Sequence, residues 1–308
     1  MTSREIDDKI SKTVERLSDH STFDIVCHEH RLGEPLPSNA KMRRIIGLIR
    51  EILFPGYFGK TSLRPNTTRH YMGVYIDELH NMLSEEILAG MCFECHDEKT
   101  NKTKVHSDKA KTISLRFIEN LPDIRRKLVA DVNSTFLNDP AARNIGEVIF
   151  CYPGIRAITN YRIAHKLLEL EVPLIPRFIT EMAHSETGID IHPKAKIGEN
   201  FTIDHGTGVV IGSTTIIGNN VKIYQGVTLG AKSFPLDENG NPIKGIPRHP
   251  IVEDDVVIYS GATILGRITI GRGSVIGGNV WITRNIPAGS RIMQSYPKEN
   301  VFISGSGI

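Results

Sequence analysis

From Ile189 to Leu229, and again from Val252 to Ile282, aliphatic residues recur every six positions. They fall on Ile191, Ile197, Ile203 and Val209, slip by two, and resume on Ile211, Ile217, Ile223 and Leu229. The step of six returns at Val252, Ile258, Ile264, Ile270, Ile276 and Ile282. A helix repeats every 3.6 residues and a strand every 2, so this period belongs to neither. A short fixed repeat predicts a parallel β-helix. Each unit then builds one wall and one corner of a prism, three units complete a coil, and the aliphatic residues fill a continuous core. Glycine often follows the aliphatic residue, as at Gly198, Gly212, Gly218, Gly230, Gly271 and Gly277, which suits corners of unusual backbone geometry.

Two stretches interrupt the repeat. Asp204-His205-Gly206-Thr207-Gly208 sits at the slip and puts a carboxylate and an imidazole where a coil wants small or aliphatic groups. Residues 231–250 form a long excursion between regular coils, ending in Arg248-His249-Pro250. Long loops in compact folds usually carry function.

Before about residue 185 the pattern is helical. Ile6–Leu17, Lys41–Leu53 and Tyr71–Met91 have helical spacing, and KTNKTK at 99–104 is a polar break. Asp108–Val132 predicts a further helix with Pro122 as a kink or boundary. Tyr161–Leu168 is helical and leads through Pro173 and Pro176 towards the first coil. The expected fold class is α+β, in three parts. Residues 1–185 are a helical support or oligomerisation domain, 186–294 a β-helical catalytic domain, and 295–308 a tail.

Lys+Arg number 37 and Asp+Glu 35, a net charge of +2 with no basic block, which argues against nucleic acid or an anionic membrane as partner. No run approaches the ~18 apolar residues of a membrane span, and MTSREIDDKISKTVERL lacks the apolar centre of a signal peptide. A cytoplasmic protein is expected. Cys27, Cys92, Cys95 and Cys151 do not make a disulfide framework at this length. Cys92-Phe-Glu-Cys95-His96 matches the haem-attachment string, and with Cys27-His28-Glu29-His30 it is compatible with a metal site. Reduced thiols on helical segments are the preferred reading, and no metal is expected.

Three histidines, His192, His205 and His249, gather around the slip and the excursion, with Asp190 and Asp204 beside them. His205 lies fifteen residues after Asp190, close to one coil, so a carboxylate can orient the imidazole and leave its other nitrogen free to take a proton. His205 is the expected general base. Asp139 before Pro140 reads, on its own, as a helix cap.

Asp139-Pro-Ala, PGIRAI at Pro153, YRIAH at Tyr161, DIHPKAKIG at Asp190, DHGTGVVIG at Asp204, QGVTLG at Gln225 and RHP at Arg248 together resemble the serine O-acetyltransferases. The resemblance covers about residues 135–290. It implies a left-handed β-helix and direct transfer of acetyl from acetyl-CoA to L-serine, opening cysteine biosynthesis. On that mapping His205 deprotonates the serine hydroxyl with Asp190 orienting it. Asp139 and Asp204 hold the ammonium group, and Arg248 and His249 hold the carboxylate. Backbone N–H groups near Gly230 and Ala231 stabilise the oxyanion, and Lys232, Ser260 and Gly278 contact CoA. The resemblance also implies L-cysteine as a feedback inhibitor, a homotrimer or dimer of trimers, and docking of cysteine synthase through the terminal Ile308. This chain departs from the pattern at Ala231 (usually Gly), at Ser213 (often Glu), in the unfamiliar 233–247 insert and in SYPKENV at Ser295. The alternatives are an acetyltransferase for another small hydroxyl or amino acceptor, a zinc hydratase using His192, His205 and His249, and a non-enzymatic scaffold.

Overall fold

The computed structural model describes residues 1–26, 34–59, 65–94 and 102–295, and the chain divides into two compact units, Met1–Pro35 and Leu36–Ile308. The first unit holds helix α1 (Ser3–Leu17) and a short 3-10 turn (His20–Thr22). A capping box opens α1: the Thr2 hydroxyl accepts from the Glu5 N–H at 3.4 Å, and the Glu5 carboxylate accepts from the Thr2 N–H at 2.7 Å. Two donors that a helix start leaves without partners are thereby satisfied.

In the second unit the helices come first: α2 (Asn39–Leu53), α3 (Pro65–Glu94), α4 (Lys102–Glu119), α5 (Leu121–Asn138), α6 (Ile145–Cys151), α7 (Pro153–Glu169) and α8 (Ile175–Thr187). The stripe of α2, including Met42, Ile45, Ile49 and Ile52, is buried, as its amphipathic spacing requires. The helix expected over Asp108–Val132 is two helices parted at Asn120. Pro122 lies in the first turn of α5, where a missing N–H breaks no helical bond. Helix gives way to strand between Thr187 and Asp190. No described helix is long and apolar enough to cross a membrane. Cys92 and Cys151 form no disulfide among the described residues, and Cys27 and Cys95 lie outside those residues, so neither cysteine string can be placed as a unit.

Strands β1–β14, in chain order, form three parallel walls of a prism. One wall stacks β1 (Asp190–Ile191), β4 (Val210–Ile211), β7 (Thr228–Gly230), β10 (Thr263–Leu265) and β13 (Trp281–Ile282). The second stacks β2 (Lys196–Ile197), β5 (Ile216–Ile217), β8 (Ile251–Val252) and β11 (Thr269–Ile270). The third stacks β3 (Thr202–Asp204), β6 (Lys222–Tyr224), β9 (Val257–Ile258), β12 (Val275–Ile276) and β14 (Arg291–Ile292). Ile191, Ile211, Leu229, Ile264 and Ile282 are in register up one wall and all are buried. The period of six is therefore the period of the core.

Helices α5 and α7 are tied to the first coil by polar contacts. Arg162 makes a two-pronged pair with Asp131, from Nε at 2.6 Å and Nη2 at 2.8 Å, and also donates to the Gly198 carbonyl. Asp131 accepts the Phe201 N–H at 3.0 Å, and the Tyr161 hydroxyl donates to the Ala195 carbonyl at 2.6 Å. Gly154 lets the start of α7 approach β3 closely, because a Cβ there would overlap the Ile203 carbonyl.

Candidate active site

The slip in the repeat is a two-residue bulge at one corner of the prism. Ile203 pairs with Ile223 and Ile211 with Leu229, so eight steps (211 − 203) stand opposite six (229 − 223). The surplus is taken up in the Asp204–Gly208 turn, where His205 has φ 56°, Gly206 93° and Gly208 79°. The bulge pushes His205 out of the wall, and its side chain is 77% exposed. A left-handed conformation at a non-glycine residue persists only where the surroundings enforce it. Here the Gly208 N–H to Gly188 carbonyl bond at 2.8 Å and the Val209 N–H to Gly206 carbonyl bond at 3.0 Å enforce it.

Around this corner the fold gathers acids. The Asp204 carboxylate lies 3.8 Å from His205 Nε2 and 3.2 Å from the Lys222 ammonium. Asp139 ends α5 beside them. It accepts the Tyr152 hydroxyl at 2.6 Å and the Ala141 N–H at 2.8 Å, so the carboxylate closes a turn as well as facing the corner. Those bonds, Tyr152 foremost, hold its pKa below the usual carboxylate value, with Lys222 and His205 adding to the effect. The same bond pushes the Tyr152 hydroxyl up to about 12. Tyr152 and Lys222 were not singled out from the sequence. Lys222 could have been found, since β6 stacks on β3 with Lys222 opposite Thr202 and Tyr224 opposite Asp204, which puts Lys222 on the coil next to Asp204.

Asp190 stands on β1, in register with Val210. Its carboxylate lies 3.9 Å from Arg177 and makes no ion pair with His205 among the described residues. Asp190 also belongs to a group with Glu181 and His184 whose polar atoms lie within 4.8 Å of one another, but Arg177 pairs with Glu181 in the same group.

Arg248 and His249 occupy a different corner, where the excursion rejoins the coil before β8. His249 is 7% exposed. Its Nδ1 faces the Thr214 N–H at 3.1 Å and the Thr214 hydroxyl at 2.8 Å. The Thr214 hydroxyl in turn accepts the N–H groups of Arg248 and His249 at 2.9 and 3.1 Å. Burial, then Arg248 and Arg267, push the His249 pKa down to about 4. His192, on the same side, also falls to about 4, through burial and then Arg177. The Arg248 guanidinium lies 5.4 Å from the Phe234 ring centre, and its Nε is buried without a partner.

The CoA candidates divide in the same way. Gly230, Ala231 and Lys232 lie where the excursion leaves β7, on the Arg248 side, and Ala231 is not among the residues of positive φ. Replacing the usual glycine by alanine therefore brings no backbone strain. Ser260 and Gly278 stack on the His205 edge, the Ser260 carbonyl accepting the Asn279 N–H at 2.9 Å. The two edges of one chain are separated by a wall of about five residues, on the order of 15 Å at ~3.3 Å per residue. His192, His205 and His249 are accordingly not gathered at one point of a single chain. A cavity of about 780 Å³ between α5, α7 and the first coil, lined by Asp123, Lys127, Tyr161 and Lys196 among others, contains none of the candidate residues.

The bacterial transferase hexapeptide family (six repeats) matches residues 249–284. A plasmid serine acetyltransferase of Synechococcus elongatus is 51% identical over 304 residues, 97% of this chain and 95% of its own. Serine acetyltransferase 1 of Entamoeba histolytica, solved in complex with L-cysteine, aligns with a TM-score of 0.70 at 34% identity, covering 90% of this chain and 93% of that one. Soybean serine acetyltransferase, solved with serine, aligns with a TM-score of 0.53 at 26% identity over 84% of this chain and 98% of that one. The solenoid is the left-handed parallel β-helix of this group.

Proposed function

The chain belongs to the serine acetyltransferase family, and we propose that its reaction site forms between two copies, one giving the edge of Asp139, Asp204 and His205 and the other the edge of Arg248 and His249. The reaction is transfer of acetyl from acetyl-CoA to the L-serine hydroxyl, giving O-acetylserine and CoA in cysteine biosynthesis. The observation that carries the two-copy reading is the placement of complementary charges on opposite edges. A zwitterionic amino acid needs an anionic and a cationic partner within a few ångströms, and one chain holds them a full wall apart.

In this arrangement Asp139 and Asp204 face the serine ammonium group. Arg248 and neutral His249 face its carboxylate, the guanidinium by two-pronged pairing. His205 takes the hydroxyl proton, and the alkoxide attacks the thioester carbonyl. N–H groups at Gly230 and Ala231 stabilise the oxyanion, and the proton passes from His205 to the departing thiolate. Lys232, Ser260 and Gly278 line the path of CoA along the shared groove. Asp190 orients His205 once the second copy covers the exposed ring. A second reading gives that orienting role to Asp204, because its carboxylate is the one 3.8 Å from the imidazole.

Closed rotational symmetry lets each edge meet its complement, which favours a trimer, doubled to a hexamer by the helices. L-cysteine matches serine in charge and shape and would occupy the same contacts as an inhibitor, in line with the cysteine complex of the Entamoeba relative. Ile308 lies outside the described residues and is the proposed docking point for cysteine synthase. A cytoplasmic location agrees with the use of acetyl-CoA.

Thiol release from acetyl-CoA, followed with and without L-serine and with a panel of other alcohols and amines, tests the assignment. Serine-dependent release is expected, and equal rates with other acceptors would replace serine. His205→Ala should lower kcat by roughly 10²–10⁴-fold with the fold retained. Asp190→Asn and Asp204→Asn then separate the two orienting readings: the variant with the larger loss of kcat at unchanged serine KM identifies the partner.

A further inference from the structure

The corner that carries Arg248 and His249 is organised by one residue that sequence reasoning did not single out. Thr214 lies in the turn between β4 and β5, and every polar atom it offers there is used. Its hydroxyl oxygen accepts two N–H groups, from Arg248 at 2.9 Å and His249 at 3.1 Å, and lies 2.8 Å from His249 Nδ1. Its own N–H points at the same Nδ1 at 3.1 Å. Its carbonyl accepts from Arg267 Nη1 at 2.7 Å, and that nitrogen also donates to the His249 carbonyl at 3.0 Å.

These contacts determine where the proton of His249 sits. A backbone N–H can only donate, so Nδ1 must accept and carries no proton. A threonine hydroxyl has one hydrogen to give and two lone pairs. With both lone pairs taken by N–H groups, its hydrogen goes to Nδ1. The imidazole proton is therefore on Nε2. The ring packs against Gly212, where a Cβ would overlap it, so its place is fixed as well as its tautomer. The low pKa of His249 agrees with a ring that stays neutral.

We propose that Thr214 is a positioning residue for the substrate carboxylate: it locks His249 as a neutral donor through Nε2 and sets Arg248 beside it. The proposal rests on the reading of Arg248 and His249 as the carboxylate site. The lock gives that site one fixed cation and one fixed neutral donor, instead of an imidazole free to present a bare lone pair to a carboxylate.

The test uses the full-length enzyme with Thr214→Val, which removes the hydroxyl at constant shape, Thr214→Ser, which keeps it, and His249→Gln. Thr214→Val should raise the serine KM by roughly tenfold, the scale of one lost hydrogen bond at a substrate-binding group. The acetyl-CoA KM should stay unchanged and kcat should stay within about threefold of wild type. Thr214→Ser should restore the serine KM. A Thr214→Val enzyme with normal serine KM overturns the proposal, as does a Thr214→Ser enzyme as weak as the valine variant. Parallel loss of both KM values and kcat also overturns it, since that marks general disruption of the loop. If His249→Gln leaves the serine KM unchanged, the carboxylate reading itself fails, and that outcome is distinct from the other three. Nitrogen-15 histidine spectra of the wild-type enzyme, with His249→Gln for assignment, read the tautomer without depending on how the valine variant folds. A proton on Nδ1 of His249 refutes the lock.

Discussion

His192 and His249 are held neutral by the same causes, burial and neighbouring cations, and each falls to about 4 from an ordinary 6.5. In both rings Nδ1 accepts a backbone N–H, from Lys194 at 3.0 Å and from Thr214 at 3.1 Å. The unfolded chain binds these protons near pH 6.5, whereas the folded chain does so only near 4. Between those values the unfolded state carries more protons, so stability rises with pH across the window and is lost as pH falls through it. The unfolding temperature should drop on acidification from pH 6.5 to 4. Replacing both histidines by glutamine should flatten that fall, and an unchanged slope would show that other groups govern it. The residue scale also shows what single positions conceal in a sequence. Asp139 reads as a helix cap, but Asn144 caps the helix that follows; Asp139 closes a turn through the Ala141 N–H, and its other oxygen takes the Tyr152 hydroxyl beside the His205 corner. Asp190 lies fifteen residues before His205, and within one chain its carboxylate has Arg177 as an ion-pair neighbour at 3.9 Å.

At the scale of elements, the first coil is completed by helices. Asp131 on α5 meets Arg162 on α7, and the pair also bonds the Gly198 carbonyl and the Phe201 N–H of the solenoid. A buried pair of this kind adds little over an apolar substitute, but removing one partner strands the other charge. Asp131→Ala should therefore destabilise the protein by about 3–5 kcal/mol in denaturant unfolding. The double variant Asp131→Leu, Arg162→Met should recover much of that loss. A single variant of wild-type stability would mean that the pair is not what holds α5 and α7 to the coil. The boundaries of α2 and the parting of α4 from α5 were legible because amphipathic spacing and Pro122 act locally. The ion pair was not, since its partners are 31 residues apart and neither belongs to a local pattern.

For the molecule as a whole, the proposed site leaves each chain with two incomplete edges. If the site forms between copies, a chain lacking the base and a chain lacking the carboxylate group can complement each other. His205→Ala and Arg248→Ala enzymes, each inactive alone, should regain activity when unfolded and refolded together. Random mixing into trimers predicts about a quarter of the wild-type rate. No recovery in verified mixed oligomers would place all the groups on one chain.

Much of the architecture follows from the sequence alone, because a repeat of six is a local rule. Every coil obeys it independently, so the three walls, the buried aliphatic row and the position of the excursion can be counted out residue by residue. The interruption at Asp204–Gly208 was visible in the same count, as was the company His205 keeps with Asp204. Tertiary structure decided the rest. Whether the bulge turns His205 outward depends on φ values held by hydrogen bonds within the turn and to Gly188 at the end of α8. Whether Arg248 and His249 lie beside it depends on which corner the excursion rejoins. The tautomer of His249 depends on Thr214, which is 35 residues away along the chain and one turn below in space. A period specifies the wall on which a residue stands. The partner facing that residue is set by contacts between turns, and such contacts leave no period in the sequence.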